Sequence, residues 1–269
     1  MFKTRLISGI VLVLVLLVFS ILGGDVLLAG LTIVSLVGLF ELYRVFGMEK
    51  GLLGFIGYVA ALFYYFVLKL LSVNIRIDLF LFSMALMILL MVVYVFSFPK
   101  YKAEQVMAAF FGVFYVAFML SCVYLTRMLP NGQYLIWLIF LCSWGCDTCA
   151  YCVGMLMGKH KMAPLLSPKK SVEGAVGGVI GAALLTVLFG FVFQKNMDIP
   201  IKYIFLMAGI SAVGALISMV GDLAASAIKR NYEIKDYGTL IPGHGGILDR
   251  FDSVIFTAPI IYFLAFYLM

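Results

Sequence analysis

Long apolar runs decide what this chain can fold into. Between charged or turn-forming breaks there are nine, at approximately 5–22, 26–46, 52–73, 77–98, 106–129, 134–157, 175–194, 201–228 and 252–268. A helix needs about 20 such residues to cross the hydrocarbon of a bilayer. The rest of the chain cannot cover them from water: of 269 residues 65% are apolar and only 12% charged, where a soluble domain carries roughly a quarter charged. A soluble globular domain, a disordered chain and a disulfide-stapled secreted module are all excluded. The expected fold is all-α, a polytopic integral membrane protein of about nine transmembrane helices, since only helices satisfy their own backbone in lipid. The first run, after Lys3 and Arg5, reads as a retained helix. No small-x-small cleavage site follows it near Gly23, and eight more runs come after.

The net charge of +6 records topology, and no nucleic-acid partner is expected. With the N-terminus placed in the cytoplasm, Lys69, Arg76, Arg127, Lys195 and Lys202 fall outside and the other fourteen of the nineteen Lys and Arg fall inside. Short cytoplasmic loops are rich in Lys and Arg, so a cytoplasmic N-terminus is expected, in a multi-pass protein of the cell membrane. The outside connections are minimal, whereas two inside ones, 158–174 and 229–251, are long and polar. Residues 1–130 read as a scaffold of helices that can also supply contacts for a homodimer. Residues 131–269 read as the catalytic region, with a polar cavity facing the cytoplasm.

In the first half, four of the five acidic residues sit in loops or at span edges, and Glu41 lies in the last turn of its helix. The second half places Asp147 and Asp222 well inside apolar helices. A carboxylate there costs roughly 2.5–3.5 kcal/mol on insertion scales, so it faces a partner or a wet cavity. Ser218, Ser226, Lys229 and Arg230 share the Asp222 face by helical spacing. The small residues Ser211, Gly214, Ser218, Gly221 and Ala225 suit close helix packing. A plain alternative is a packing helix whose Asp222 is neutralised by a nearby Lys.

The loop that follows weighs against that alternative. Gly243, Gly245 and Gly246 surround His244, permitting positive φ and close backbone approach of the kind phosphate oxygens require. Asp249 and Asp252 then share one face at the start of the last helix. Carboxylates converging on one cavity repel unless a cation lies between them. Mg²⁺ is held by one or two carboxylates plus substrate phosphates, and Lys229, Arg230, Lys235 and Arg250 stand ready as phosphate clamps.

Residues 226–252 resemble the signature of the phosphatidate cytidylyltransferase (CDP-diacylglycerol synthase) family. The matching positions are Ser226, Lys229, Arg230, Lys235, Asp236, Pro242, His244, Gly245, Gly246, Asp249, Arg250 and Asp252. The Ser-Pro-Lys-Lys-Ser run at 167–171, continuing to Glu173 and Gly174, and the Asp-Thr-Cys-Ala-Tyr run at 147–151 resemble two further motifs of that family. Ala225, Val172 and Cys149 depart from it. The resemblance implies transfer of CMP from CTP to phosphatidate, giving CDP-diacylglycerol and pyrophosphate, with Mg²⁺ as cofactor and room for a second cation. It makes CTP, phosphatidate and membrane lipids the expected partners.

Under that resemblance Asp222 and Asp249 are the expected core metal ligands, with Asp147 and Asp252 as further candidates. Lys169, Lys170, Lys229, Arg230, Lys235 and Arg250 are expected to grip the triphosphate or the lipid phosphate, with Ser171, Ser226, Gly245 and Gly246 in the binding surface. His244 is assigned to the phosphate-binding geometry of its loop, a plain loop hydrogen bond being the alternative. Two rivals remain: an ion-coupled transporter using Asp147 and Asp222, and a CTP-dependent enzyme acting on another lipid phosphate. Cys142, Cys146 and Cys149 carry a cluster-like spacing, with Cys152 beyond, but in the middle of an apolar span they read as packing residues.

Overall fold

The computed structural model describes residues 2–71 and 79–268. Among these residues nine continuous helices follow in order. They are α1 (Phe2–Leu22), α2 (Gly24–Val45), α3 (Leu52–Leu71), α4 (Leu79–Phe96), α5 (Ala103–Arg127), α6 (Gly132–Met157), α7 (Val172–Met197), α8 (Ile201–Asn231) and α9 (Leu248–Leu268). Eight are long and apolar enough to cross a membrane, and α1 contributes a shorter apolar stretch, Ser8–Leu22. This is the all-α polytopic architecture expected. The expected end of the third span and start of the fourth, with Arg76, lie outside the described residues.

Residues 158–174, expected as a long polar connection, carry a two-stranded antiparallel hairpin. It pairs β1 (Lys161–Ala163) with β2 (Ser167–Ser171), Lys161 opposite Ser171 and Ala163 opposite Ser167. Glu173 holds its base, accepting from the backbone amides of Lys159 at 3.1 Å and His160 at 3.2 Å and pairing with His160 Nδ1 at 2.6 Å. Ser171 ends β2 and caps α7, its Oγ accepting from Gly174 N at 3.1 Å. With that cap α7 starts three residues earlier than the apolar run alone suggests, because Ser171 satisfies one of the helix's orphan amides.

The described residues form two compact units: Met1–Ser121 with Asp236–Asp249, and Cys122–Lys235 with Arg250–Met269. Inside the first, helices are joined by tyrosine hydroxyls that seek carbonyls, as polar groups in hydrocarbon must. Tyr43 donates to Ala109 O at 2.8 Å and Tyr65 to Ala117 O at 3.0 Å. Ala117 lies in a π-helical stretch, Val113–Phe118, within α5; π geometry disturbs the regular ladder and leaves carbonyls for such side chains. Gly57 and Gly112 make room for the Tyr43 ring, where any Cβ would collide with it. Only 11% of the apolar window of α4 is buried, which suits a helix facing lipid.

In the second unit the small residues of α8 pack as their spacing implied: Ser211, Gly214, Ser218, Gly221 and Ala225 are all buried. Ser211 centres a polar knot, receiving from Thr186 Oγ1 at 2.8 Å and lying 3.2 Å from Cys142 Sγ. Cys146 lies near Ala215 O in the same packed layer. Cys142 and Cys146 are thus packing residues, whereas Cys152 is exposed.

Candidate functional site

The second unit contains a cavity of about 470 Å³ whose wall includes Asp147, Lys169, Lys170, Ser171 and Asp222. Three elements deliver these residues: α6 brings Asp147, strand β2 brings both lysines, and α8 brings Asp222. Apart from Ser167 the remaining wall is largely apolar, with Tyr151, Met155, Met162 and Met219. Lys170 Nζ forms an ion pair with Asp222 Oδ2. The partner of the half-buried Asp222 carboxylate is thus a lysine from the Ser-Pro-Lys-Lys motif, the pairing that the plain alternative of a neutralised packing helix also calls for.

Local backbone geometry explains the aim of Asp147. A π-helical stretch, Leu141–Gly145, immediately precedes it, shifting the helical register before the aspartate and putting it on a face a regular helix would not present. Trp144, within that stretch, donates from Nε1 to Arg250 O at 3.1 Å and fixes the start of α9 beside it. Asp222 and Arg250 both lie within electrostatic range of Asp147, and Asp222 and Lys229 within range of Asp252. Gly221 lets α8 approach α9 closely, since a Cβ there would press on Asp252 O and Phe256. Three carboxylates and three cations are therefore drawn into one region of this unit.

Some donors in that region are unspent. Arg250 Nε is buried with no hydrogen-bond partner, and Lys170 Nζ makes no hydrogen bond beyond its ion pair. Among the described residues no three His, Cys, Asp or Glu side chains close into a ready-made metal cage. That is compatible with Mg²⁺, which takes one or two carboxylates and completes its shell with water and substrate phosphates. Asp147 and Asp222, both in the cavity wall, are carboxylates of the kind such an ion takes. Lys169, Arg230 and Lys235 are exposed and Ser226 half-buried, all in the same unit.

His244, Gly245, Gly246 and Asp249 belong to the first unit. Gly243 and Gly245 have φ of 76° and 86°, the left-handed backbone expected of them. The turn is closed by His244 N to Ile241 O at 2.9 Å and Ile241 N to Gly245 O at 2.8 Å. His244 Nδ1 lies 2.8 Å from Ser8 Oγ, and Ser8 also donates to Pro242 O at 3.0 Å. Asp249 Oδ2 accepts from Tyr237 N at 2.8 Å and Gly246 N at 2.9 Å, closing the loop on itself. The close approach expected at Gly246 occurs, with a carboxylate of the chain itself: a Cβ there would meet both oxygens of Glu41.

Sequence reasoning passed over Glu41, Arg44 and Ser8. Glu41 is only 3% exposed and accepts from Ile247 N at 3.0 Å and Leu248 N at 2.8 Å. These amides would otherwise be orphans at the start of α9, which is why that helix begins at Leu248 and not at 252. Each such bond to a charged acceptor contributes about 1.5–3 kcal/mol, offsetting the insertion cost of the carboxylate. Arg44 donates to Tyr237 O. The available signal was a charged residue within an apolar run, the criterion that picked out Asp147 and Asp222.

A profile of the cytidylyltransferase family matches residues 3–268. A phosphatidate cytidylyltransferase of Bacillus subtilis (strain 168) is 47% identical over 121 residues, 45% of this chain and 43% of that protein. Proteins of the same name from Staphylococcus haemolyticus (strain JCSC1435) and Staphylococcus aureus (strain COL) are 32% identical over 264 residues and 31% over 267. Each of those two matches covers 97% of this chain and 98% of the relative.

Proposed function

The chain belongs to the cytidylyltransferase family, and on that premise we propose that it transfers CMP from CTP to phosphatidate, releasing pyrophosphate and leaving CDP-diacylglycerol in the membrane. A nucleotidyltransferase replaces the transporter considered from the sequence. What carries the assignment is the cavity walled by Asp147, Lys169, Lys170, Ser171 and Asp222. It combines carboxylates and cations in a helical membrane unit.

In the proposed reaction a phosphate oxygen of phosphatidate attacks the α-phosphorus of CTP. One P–O bond forms, the bond between the α-phosphorus and the bridging oxygen to the β-phosphorus breaks, and the electron pair leaves on pyrophosphate. The nucleophile is a phosphate monoester whose second pKa is near 6, so it arrives largely ionised and no general base is required. The protein has to neutralise two polyanions and hold them in line.

Asp222 would hold Mg²⁺, with Asp147 and Asp252 as further ligands; Asp249, the other core ligand expected from the sequence, has its Oδ2 committed to the amides of Tyr237 and Gly246. When bound, the ion supplies charge neutralisation to the phosphates and the departing pyrophosphate. Lys170, held at the cavity wall by Asp222, and Lys169 beside it meet phosphate oxygens. Arg250, with its buried unspent Nε, and Lys229 serve as further clamps. Asp249 acts as the clip that closes the glycine loop, and His244 helps present that loop. We place the cavity mouth and the N-terminus on the cytoplasmic side of the cell membrane, supported by the distribution of Lys and Arg.

Incubating the purified protein with radiolabelled CTP, Mg²⁺ and phosphatidate tests the assignment. A cytidine-labelled lipid is expected. Label transfer to another lipid phosphate but not to phosphatidate would overturn the substrate, and absence of any labelled lipid would overturn the reaction.

A further inference from the structure

We infer that Glu41 is a positioning residue, whose carboxylate on α2 sets the conformation of the glycine loop between Tyr237 and Leu248. The carboxylate lies in a slot made for it. On one side are Gly238 and Gly246, where any Cβ would occupy the space of its oxygens. On the other are the amides of Ile247 and Leu248, one received by each oxygen at 3.0 and 2.8 Å. Both oxygens are therefore committed to backbone, so Glu41 acts through the loop.

Two more charged groups complete the clasp. Arg44, three residues further along α2, donates to Tyr237 O at the entry to the loop. Asp249 accepts from Tyr237 N at the entry and from Gly246 N at the exit. Entry and exit are thus fixed by side chains, and the stretch between them carries Pro242, Gly243, His244 and Gly245 on a closed turn. A carboxylate is required and not merely a polar group of the same size. A glutamine offers one acceptor and turns an NH₂ toward the second amide, leaving two donors face to face. Gly238 and Gly246 close in on the carboxylate from the other side.

The functional consequence rests on the proposed role of this loop in CMP transfer, and two readouts separate the two ideas. Full-length wild type, Glu41→Gln and Glu41→Asp are purified in the same detergent, with Asp25→Asn as a control. Asp25 is an exposed residue of α2 whose partner is Lys69. Amide hydrogen exchange at Ile247 and Leu248 reports the loop, and steady-state kinetics with CTP and phosphatidate report turnover. In Glu41→Gln both amides are expected to exchange at least about tenfold faster and kcat to fall about 10–100-fold, as for residues that orient active groups. The KM for CTP should move less, because the cavity cations are untouched. Glu41→Asp, which keeps the charge but draws it back by one methylene, is expected to fall between, and Asp25→Asn to match wild type.

Unchanged amide exchange in Glu41→Gln overturns the inference. So does faster exchange with undiminished turnover, since the loop would then not need holding. A wild type that makes no cytidine-labelled lipid overturns the proposed reaction, and the exchange data still decide whether Glu41 sets the loop.

Discussion

Lys170 on β2 and Asp222 on α8 form an ion pair in which each side chain keeps 24% of its surface open. The pair is neither buried beyond the reach of a ligand nor washed by solvent on all sides. It joins the short hairpin to the membrane helix whose carboxylate most needs a partner. Both groups lie in the wall of the same cavity, so a polyanion or a cation entering there meets one of them at once.

The pair should couple energetically. Lys170→Ala strands the Asp222 carboxylate and Asp222→Ala strands the ammonium, whereas removing both strands neither. A double-mutant cycle read by thermal unfolding in detergent is expected to give a coupling of about 1–2 kcal/mol. Single effects that simply add would show that the pair contributes nothing.

Asp222→Asn is expected to insert and fold, since the amide is uncharged and nearly isosteric. Turnover should fall on the order of 10³-fold, the scale seen when a group stabilising transition-state charge is lost. Steady-state assay of the purified variant with Mg²⁺ and phosphatidate checks this, and wild-type kcat would remove Asp222 from the proposed centre.

Chelation separates a metal requirement from a purely cationic site. EDTA is expected to abolish CMP transfer and added Mg²⁺ to restore it, while Ca²⁺ restores little because its larger, looser shell positions phosphates poorly. Activity unaffected by exhaustive chelation would leave Lys169, Lys170, Lys229 and Arg250 as the only neutralising groups.

Gly243 and Gly246 are glycines for different reasons, and alanine should distinguish them. Gly243→Ala meets a φ of 76°, a strain of about 1–2 kcal/mol for an L-residue. Gly246→Ala drives a methyl group into the Glu41 carboxylate and should cost more stability. Thermal unfolding of the two variants in one detergent gives the order, and a reversal would place the crowding elsewhere.

Ser171→Ala removes the cap of α7 and is expected to cost about 1 kcal/mol. Ser171→Thr should not restore it fully, because Gly154 and Gly158 crowd the Ser171 side chain. Unfolding temperatures of the three proteins decide the matter.

The helical architecture was legible because hydrophobic runs of membrane length have few other uses, and the packing face of α8 because small residues repeat on it at helical spacing. Asp147 and Asp222 were legible as charges in unlikely surroundings and the two lysines of β2 as part of a family-like motif, and all four line one cavity. The hairpin was not, since its strands are three and five residues long and draw on Glu173 and Ser171 at their base. The cap of α9 was also hidden. It is Glu41, 206 residues from Ile247 along the chain, and no local pattern announces a cap supplied from that distance. The π stretch before Asp147 has no composition of its own, so the register shift that aims the aspartate is visible only in three dimensions.

The apolar part of the cavity wall has its own consequence. Tyr151, Met155 and Met162 line the same cavity as the lysines, and Leu165 at the hairpin tip is 91% exposed, with Leu156 and Met157 also exposed at the end of α6. A molecule with a charged head and two hydrocarbon tails can dip the head among the lysines while its tails remain among greasy neighbours. Under the proposed reaction, the donor of the cytidylyl group would come and go through water, and the acceptor would never have to leave the oil.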